Sequence, residues 1–189
     1  MLIGLTGYAG SGKDAAAAGL ITEGWKRVSF AEPIRQMLLV LNPIIDPSGK
    51  RLSHWLKIFD WDETKRIFPE VRRLLQVLGT EVGRDMIDQD LWTRLAKRTW
   101  DDHFKAGYNV VVTDVRFANE AASLRFNGGK IFRLHRLGVT PARYHVSDTS
   151  VDLIRPDYEI VNNGTVEELQ TTLKTMLSTI DPVSVKLNV

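Results

Sequence analysis

The chain has no cysteine among its 189 residues. That excludes disulfides, thiol nucleophiles and thiolate-held metals. Neither sign of charge is in excess: 25 lysines and arginines face 23 aspartates and glutamates, a formal balance of +2. Bulk electrostatics of that size do not recruit nucleic acid, so no stable nucleic-acid partner is expected. No apolar run is long enough to span a membrane. No basic stretch precedes the first apolar run, so the N-terminus does not read as a signal peptide. The expectation is a cytoplasmic protein without a membrane partner. The G-x-S-x-G turn of serine hydrolases is absent, and His145, Ser147 and Asp148 crowd into one short loop, so they do not read as a triad. The guanine-binding N-K-x-D of nucleotide switches is absent as well.

What is present starts at once. LIGLT at 2–6 reads as a buried parallel strand, and GYAGSGK at 7–13 matches G-x-x-x-x-G-K. Glycines let backbone N–H groups turn inward around phosphates, and the helix that follows adds its partial positive charge. The expected donor-phosphate contacts are Gly7, Ala9, Gly10, Ser11, Gly12 and Lys13, with Lys13 reaching the β- and γ-phosphates. The next residue departs from the pattern. Ser or Thr normally stands there to meet magnesium, and this chain has Asp14. A carboxylate beside a polyphosphate needs a compensating cation. Asp14 is either a magnesium ligand, direct or through water, or an acidic residue favoured at a helix N-terminus.

Strands and helices alternate along the rest. A helix is expected from Lys13 to Glu23, a strand from Trp25 to Phe30, and a helix opened by Pro33 and ended by Asn42-Pro43. Residues 43–69 read as an insertion with short helices. Leu74, Leu75, Leu78 and Val82 give a helical spacing from Arg72 to Val82, with a break at Gly79. Gln89–Phe104 reads as a helix and YNVVVT at 108–113 as the most apolar strand, ending at Asp114. A helix follows at 118–126, a strand at 130–136, a loop over 137–156 and a strand at 158–161. Asn162-Asn163-Gly164 then turns into a last helix, with Thr165 and Glu168 as its capping box. The tail, 181–189, has no assignment. This pattern predicts an α/β fold, a parallel sheet with helices on both faces and ligands at the carboxyl ends of the strands.

Two further features suit phosphoryl transfer. Asp114 resembles a Walker-B carboxylate that holds or orients a magnesium shell, with Arg116 two residues on. Asn119 and Glu120 either join that site or cap the helix after it. Arginines suited to bidentate phosphate contacts cluster at Arg35, Arg72-Arg73 and Arg84, and again at Arg133, Arg136 and Arg143. Gln76, Gly79, Thr80 and Glu81 either hydrogen-bond a base or sugar or form a glycine-capped helix end.

In order, GLTGYAGSGKD, SFAEPIRQML, RRLLQVLGTEVGRDMID, VVVTDVRFANEA, IFRLHR and YEIVNNGTVEEL resemble the deoxynucleoside monophosphate kinases of tailed bacteriophages, over roughly residues 2–169. The resemblance implies an adenylate-kinase-like, three-layer P-loop kinase fold with five parallel strands. It implies one domain over 1–189, with an acceptor-side helical insertion at about 32–106 and a lid at about 137–156. The implied activity is transfer of the ATP γ-phosphate to a dNMP with Mg2+. Dephospho-coenzyme A kinase or another small-molecule P-loop kinase is the alternative, and a P-loop NTPase without an acceptor a weaker one. Carried over by position, Lys13, Asp114, Arg116, Arg136 and Arg143 serve catalysis, and Asp14 and Asp114 the metal. Arg35, Arg73, Gln76, Gly79 and Thr80 line the acceptor site, and Asn162, Asn163 and Gly164 border adenine. SGKD is familiar in such loops, but a Thr usually follows, and here it is Ala15. Related kinases can be dimers, so a homodimer is compatible. A phage-encoded enzyme would work in the host cytoplasm.

Overall fold

The structure is a computed structural model that describes residues 1–140 and 146–180. The chain divides into two compact units, one formed by Met1–Ser29 with the chain from Ala96 onward, the other by Phe30–Leu95.

The first unit is a five-stranded sheet, β1 (Leu2–Thr6), β2 (Lys26–Val28), β3 (Val110–Val115), β4 (Lys130–His135) and β5 (Tyr158–Val161). Every pairing is parallel, and the order is β2-β3-β1-β4-β5. The central strands are apolar on both faces because both are covered. On one face Ile3, Leu5, Val111, Phe132, Leu134 and Ile160 pack against α1 (Lys13–Ile21) and α9 (Val166–Ile180), which contribute Ala16, Ala17, Leu20, Leu169, Leu173 and Leu177. On the other, Gly4 leaves room for Leu124 of α7 (Ala118–Phe126): a Cβ at Gly4 would sit 2.6 Å from Leu124 and 2.8 Å from Val115. The connection from β1 runs toward β2, whereas that from β3 runs across β1 toward β4, in opposite directions along the sheet. The loops after β1 and β3 therefore share the carboxyl edge at a topological switch point.

The second unit is helical. α2 (Glu32–Leu41) has Pro33 in its first turn and ends on Asn42, whose φ of 44° is left-handed. α3 (Leu52–Trp55) and α4 (Trp61–Ile67) are the short helices of the insertion, and α5 (Pro69–Gln76) follows. Leu38, Ile45, Leu52 and Val71 form this unit's buried apolar cluster. From α5 the chain runs without a break into a π-helix, Val77–Ile87. The expected break at Gly79 is thus absent. The two glycines serve as packing notches instead. A Cβ at Gly79 would lie 2.9 Å from Ile34, and one at Gly83 only 2.0 Å from the Trp92 ring. Trp92 also donates its indole N–H to the Gly79 carbonyl at 2.6 Å. That side-chain donor occupies a helix carbonyl, and wide i→i+5 turns arise where the regular ladder is disturbed.

α6 (Leu91–Lys105) continues across the boundary into the first unit. Four other expectations need adjustment. α1 and β2 are shorter than their sequence ranges, β3 runs through Asp114 to Val115, and the 137–156 segment is not all loop. It holds α8 (Val146–Thr149) and a 3-10 turn, Ser150–Leu153. Burial of Ser147, Ser150 and Val151 gives these turns their inward side.

Candidate active site

The loop between β1 and α1 has the left-handed glycines its path needs. Gly7, Gly10 and Gly12 have φ of 138°, 84° and 100°. At two of them a side chain is also excluded by space: a Cβ at Gly7 would meet the Leu134 carbonyl at 2.5 Å, and one at Gly12 the Asn162 amide at 2.3 Å. Lys13 folds its ammonium into this loop and donates to the carbonyls of Gly7 and Tyr8 at 2.8 Å each and to Ser11 Oγ at 3.4 Å. Ala15, where a hydroxyl is usual, packs against the apolar cluster between α1 and α9, and its carbonyl accepts from Gln170 Nε2 at 2.8 Å.

Asp14 has a cation beside it, and it comes from β2: Arg27 Nη2 donates to Asp14 Oδ1 at 2.8 Å. Arg27 Nε donates to the hydroxyl of Thr113, a buried residue of β3, at 3.1 Å. Two residues on, Ser29 Oγ donates to Asp114 Oδ2 at 2.7 Å. Neither Arg27 nor Ser29 was among the sequence-derived site residues. Their signal was the i, i+2 polar alternation at the end of a short strand.

Past β3, Glu120 caps α7. Its Oε2 accepts the backbone N–H of Arg116 at 2.7 Å and of Phe117 at 3.0 Å, which settles the open choice for this residue in favour of a cap. Burial raises the Glu120 carboxyl to about 8. The nearby Asp114 charge adds to the rise, while the two backbone N–H groups and the Arg116 charge oppose it. Arg116 Nη1 pairs with Asp148 of α8 at 3.2 Å. Tyr8, in the phosphate loop, donates its hydroxyl to Asp152 of the 3-10 turn, and that bond, more than burial, raises the Tyr8 pKa. Arg133 anchors the same turn through the carbonyls of Val151, at 2.6 Å, and Ile154.

Of the residues expected to border adenine, Asn162 is buried and gives its Nδ2 to the Ser11 carbonyl at 2.9 Å, so its side chain supports the phosphate loop. Asn163 Oδ1 accepts the Leu137 N–H at 3.0 Å. Gly164 lies against Glu168, whose Oε2 a Cβ there would meet at 2.0 Å. Thr165 and Glu168 close the expected capping box at 2.8 and 3.2 Å. Arg136 is exposed just past β4. Arg143 lies outside the described residues.

The expected acceptor residues all lie in the helical unit. The Arg35 guanidinium is 3.9 Å from Glu32 and stands over the Trp61 ring at 5.7 Å, and its Nε is buried with no hydrogen-bond partner among the described residues. Arg73 is bidentate to Glu70, at 2.8 and 2.7 Å, on an exposed side of α5. Gln76 and Gly79 are half-buried and Thr80 is buried.

Among the described residues no group of three or more His, Cys, Asp or Glu is placed to hold a metal. Magnesium that arrives on a nucleotide needs only one or two carboxylates beside phosphates and waters. Asp14 and Asp114 are carboxylates of that kind, and each accepts a bond from the end of β2, Asp14 from Arg27 and Asp114 from Ser29.

Sheet order, phosphate loop and strand-end carboxylate together define a P-loop kinase fold. The structure of dephospho-CoA kinase from Campylobacter jejuni has the same fold, at a TM-score of 0.52 with 14% identity, covering 96% of this chain and 97% of that one. The family model for deoxynucleotide monophosphate kinase matches residues 52–173, and the chain belongs to that family. A protein of Acanthamoeba polyphaga mimivirus assigned the same activity is 32% identical over 89% of this chain and 91% of its own length. The deoxynucleoside-5'-monophosphate kinase of Escherichia phage T5 is 24% identical over 86% of this chain and 89% of its own.

Proposed function

We propose that the protein transfers the γ-phosphoryl group of ATP to a deoxynucleoside 5'-monophosphate, releasing the diphosphate and ADP. The observation that carries this reading is the Lys13 ammonium held by the Gly7 and Tyr8 carbonyls of its own loop, at the N-terminus of α1 and the carboxyl edge of the sheet. Such a loop offers inward N–H groups and one fixed cation to a polyphosphate.

Phosphoryl transfer asks little covalent chemistry of a protein; it asks for positioning and for charge to meet the developing negative oxygens. Lys13 neutralises the donor phosphates. Asp114 and Asp14 would hold the nucleotide's magnesium, which would supply positive charge to the phosphates. Arg116 reaches the transferring group after giving up Asp148. Arg136 and Arg143 serve from the lid. Arg35 takes the acceptor phosphate, a role favoured by its unpartnered Nε. Gln76, Gly79 and Thr80 line the acceptor side, with Arg73 free to help only after leaving Glu70. The relatives' viral origin fits work in the cytoplasm of an infected cell.

The test is ADP formation from ATP and magnesium with each of dAMP, dGMP, dCMP, dTMP and modified pyrimidine dNMPs. Acceptor-dependent ADP from at least one is expected. ADP formed with dephospho-coenzyme A alone would transfer the assignment to that acceptor.

A further inference from the structure

Asp14 sets a negative charge at the entrance of a loop shaped for polyphosphate, and the partner it has is Arg27. Three observations bear on what that pair does. First, the guanidinium is aimed: its Nε is held by the hydroxyl of buried Thr113, so one nitrogen of the fork is anchored on the sheet and another is presented to Asp14. Second, the pair is open to solvent, with side-chain exposures of 39% and 60%. Ion pairs so exposed contribute at most about 1 kcal/mol to folding, so fold stability alone is a poor reason for it. Third, Ser29, just past β2 and two residues from Arg27, donates to Asp114, so one strand end binds both Asp14 and Asp114.

We propose that Arg27 is a positioning residue for nucleotide binding: it neutralises Asp14 and holds that carboxylate to the β2 side, so that the loop accepts a polyphosphate before any metal is present. The inference rests on the phosphate-loop reading above and deepens it. Arginine suits the task because it stays protonated at every working pH and its planar fork grips two partners at once. Without Arg27, Asp14 repels the incoming phosphates, and magnesium is then needed to relieve the repulsion. Removing Asp14 as well removes the need for Arg27.

The experiment measures ADP affinity calorimetrically, in EDTA and in excess magnesium, for the wild type, Arg27→Met, Arg27→Lys, Asp14→Asn and the Arg27→Met/Asp14→Asn double variant. In EDTA, Arg27→Met is expected to weaken ADP about five-fold, the scale of an exposed charge interaction, with Arg27→Lys in between. Magnesium shrinks that loss. In the Asp14→Asn background, Arg27→Met changes affinity by less than about two-fold. Recovery of affinity in the double variant is a result that damage to the fold cannot produce. An equal loss from Arg27→Met in both backgrounds overturns the inference, because Arg27 then acts on the phosphates directly; so does an Arg27→Met variant that binds metal-free ADP as tightly as the wild type. Wild-type protein that binds no ADP in either condition overturns the phosphate-loop reading itself, and the inference with it.

Discussion

Asn162 donates its side-chain N–H to the carbonyl of Ser11 at 2.9 Å, joining the loop after β5 to the phosphate loop 151 residues earlier. The same amide fills the space a Cβ at Gly12 would need. The phosphate loop is therefore shaped from both sides, by its own backbone and by a buried side chain from the far end of the sheet.

Asn162→Ala should accordingly loosen the loop. It strands the Ser11 carbonyl and opens a gap beside Gly12, and a buried acceptor left unpaired costs about 1–3 kcal/mol. Urea denaturation should show a loss of that size, and ADP affinity should fall with it. Unchanged ADP binding alongside lowered stability would separate Asn162 from the loop's function.

Gly83 gives a sharper test of packing. A Cβ there would lie 2.0 Å from the Trp92 ring, so Gly83→Ala must displace the indole that donates to the Gly79 carbonyl. Overpacking of this kind costs about 1–3 kcal/mol. Tryptophan fluorescence and denaturant midpoints report it together. Gly128→Ala is a poor control despite open space around it, because its φ of 78° strains any side chain.

Glu120 makes stability depend on pH. Its folded carboxyl titrates near 8, far above the ordinary carboxylate range, chiefly because it is buried. Between roughly pH 4.5 and 8 the unfolded chain has released this proton while the folded chain keeps it. The unfolded state then binds fewer protons, so this group's contribution falls as pH rises through that window, at no more than about 1.4 kcal/mol per pH unit. Glu120→Gln keeps an acceptor for the Arg116 and Phe117 N–H groups but does not titrate. Unfolding free energies of the two proteins across pH 5–8.5 should therefore diverge in slope. Parallel curves would place the Glu120 titration outside this range.

Much of the scaffold was legible because its signals are local. The apolar run of β1, Pro33 and Asn42 at the ends of α2, and the Thr165–Glu168 capping box each depend on residues a few positions apart. The π-helix was not legible. Glycine has low helix propensity, so Gly79 reads as a break until Ile34 is known to need the space there, and Trp92 the space at Gly83. Arg27 escaped notice for a related reason. Its tie to Thr113 spans 86 positions and exists only once β2 is in parallel register with β3. Asp14, by contrast, stood out as a charge that needed a cation, and the sequence offered magnesium as the cation where the fold also supplies a guanidinium.

Arg35 carries the last prediction. Its guanidinium has a distant partner in Glu32, at 3.9 Å, and a buried Nε without one among the described residues. A buried, unsatisfied donor on a permanent cation is costly unless an anion uses it, and a phosphate oxygen is the anion this enzyme class brings. Charge-assisted bonds contribute about 1.5–3 kcal/mol each. Arg35→Ala should therefore raise the dNMP KM by about ten-fold to a hundred-fold and leave the ATP KM within about two-fold. Arg35→Lys should recover only part, because an ammonium cannot reproduce the fork. Steady-state kinetics with each substrate varied in turn gives both numbers. A matched rise in the two KM values would move Arg35 from the acceptor phosphate to a role shared by both nucleotides.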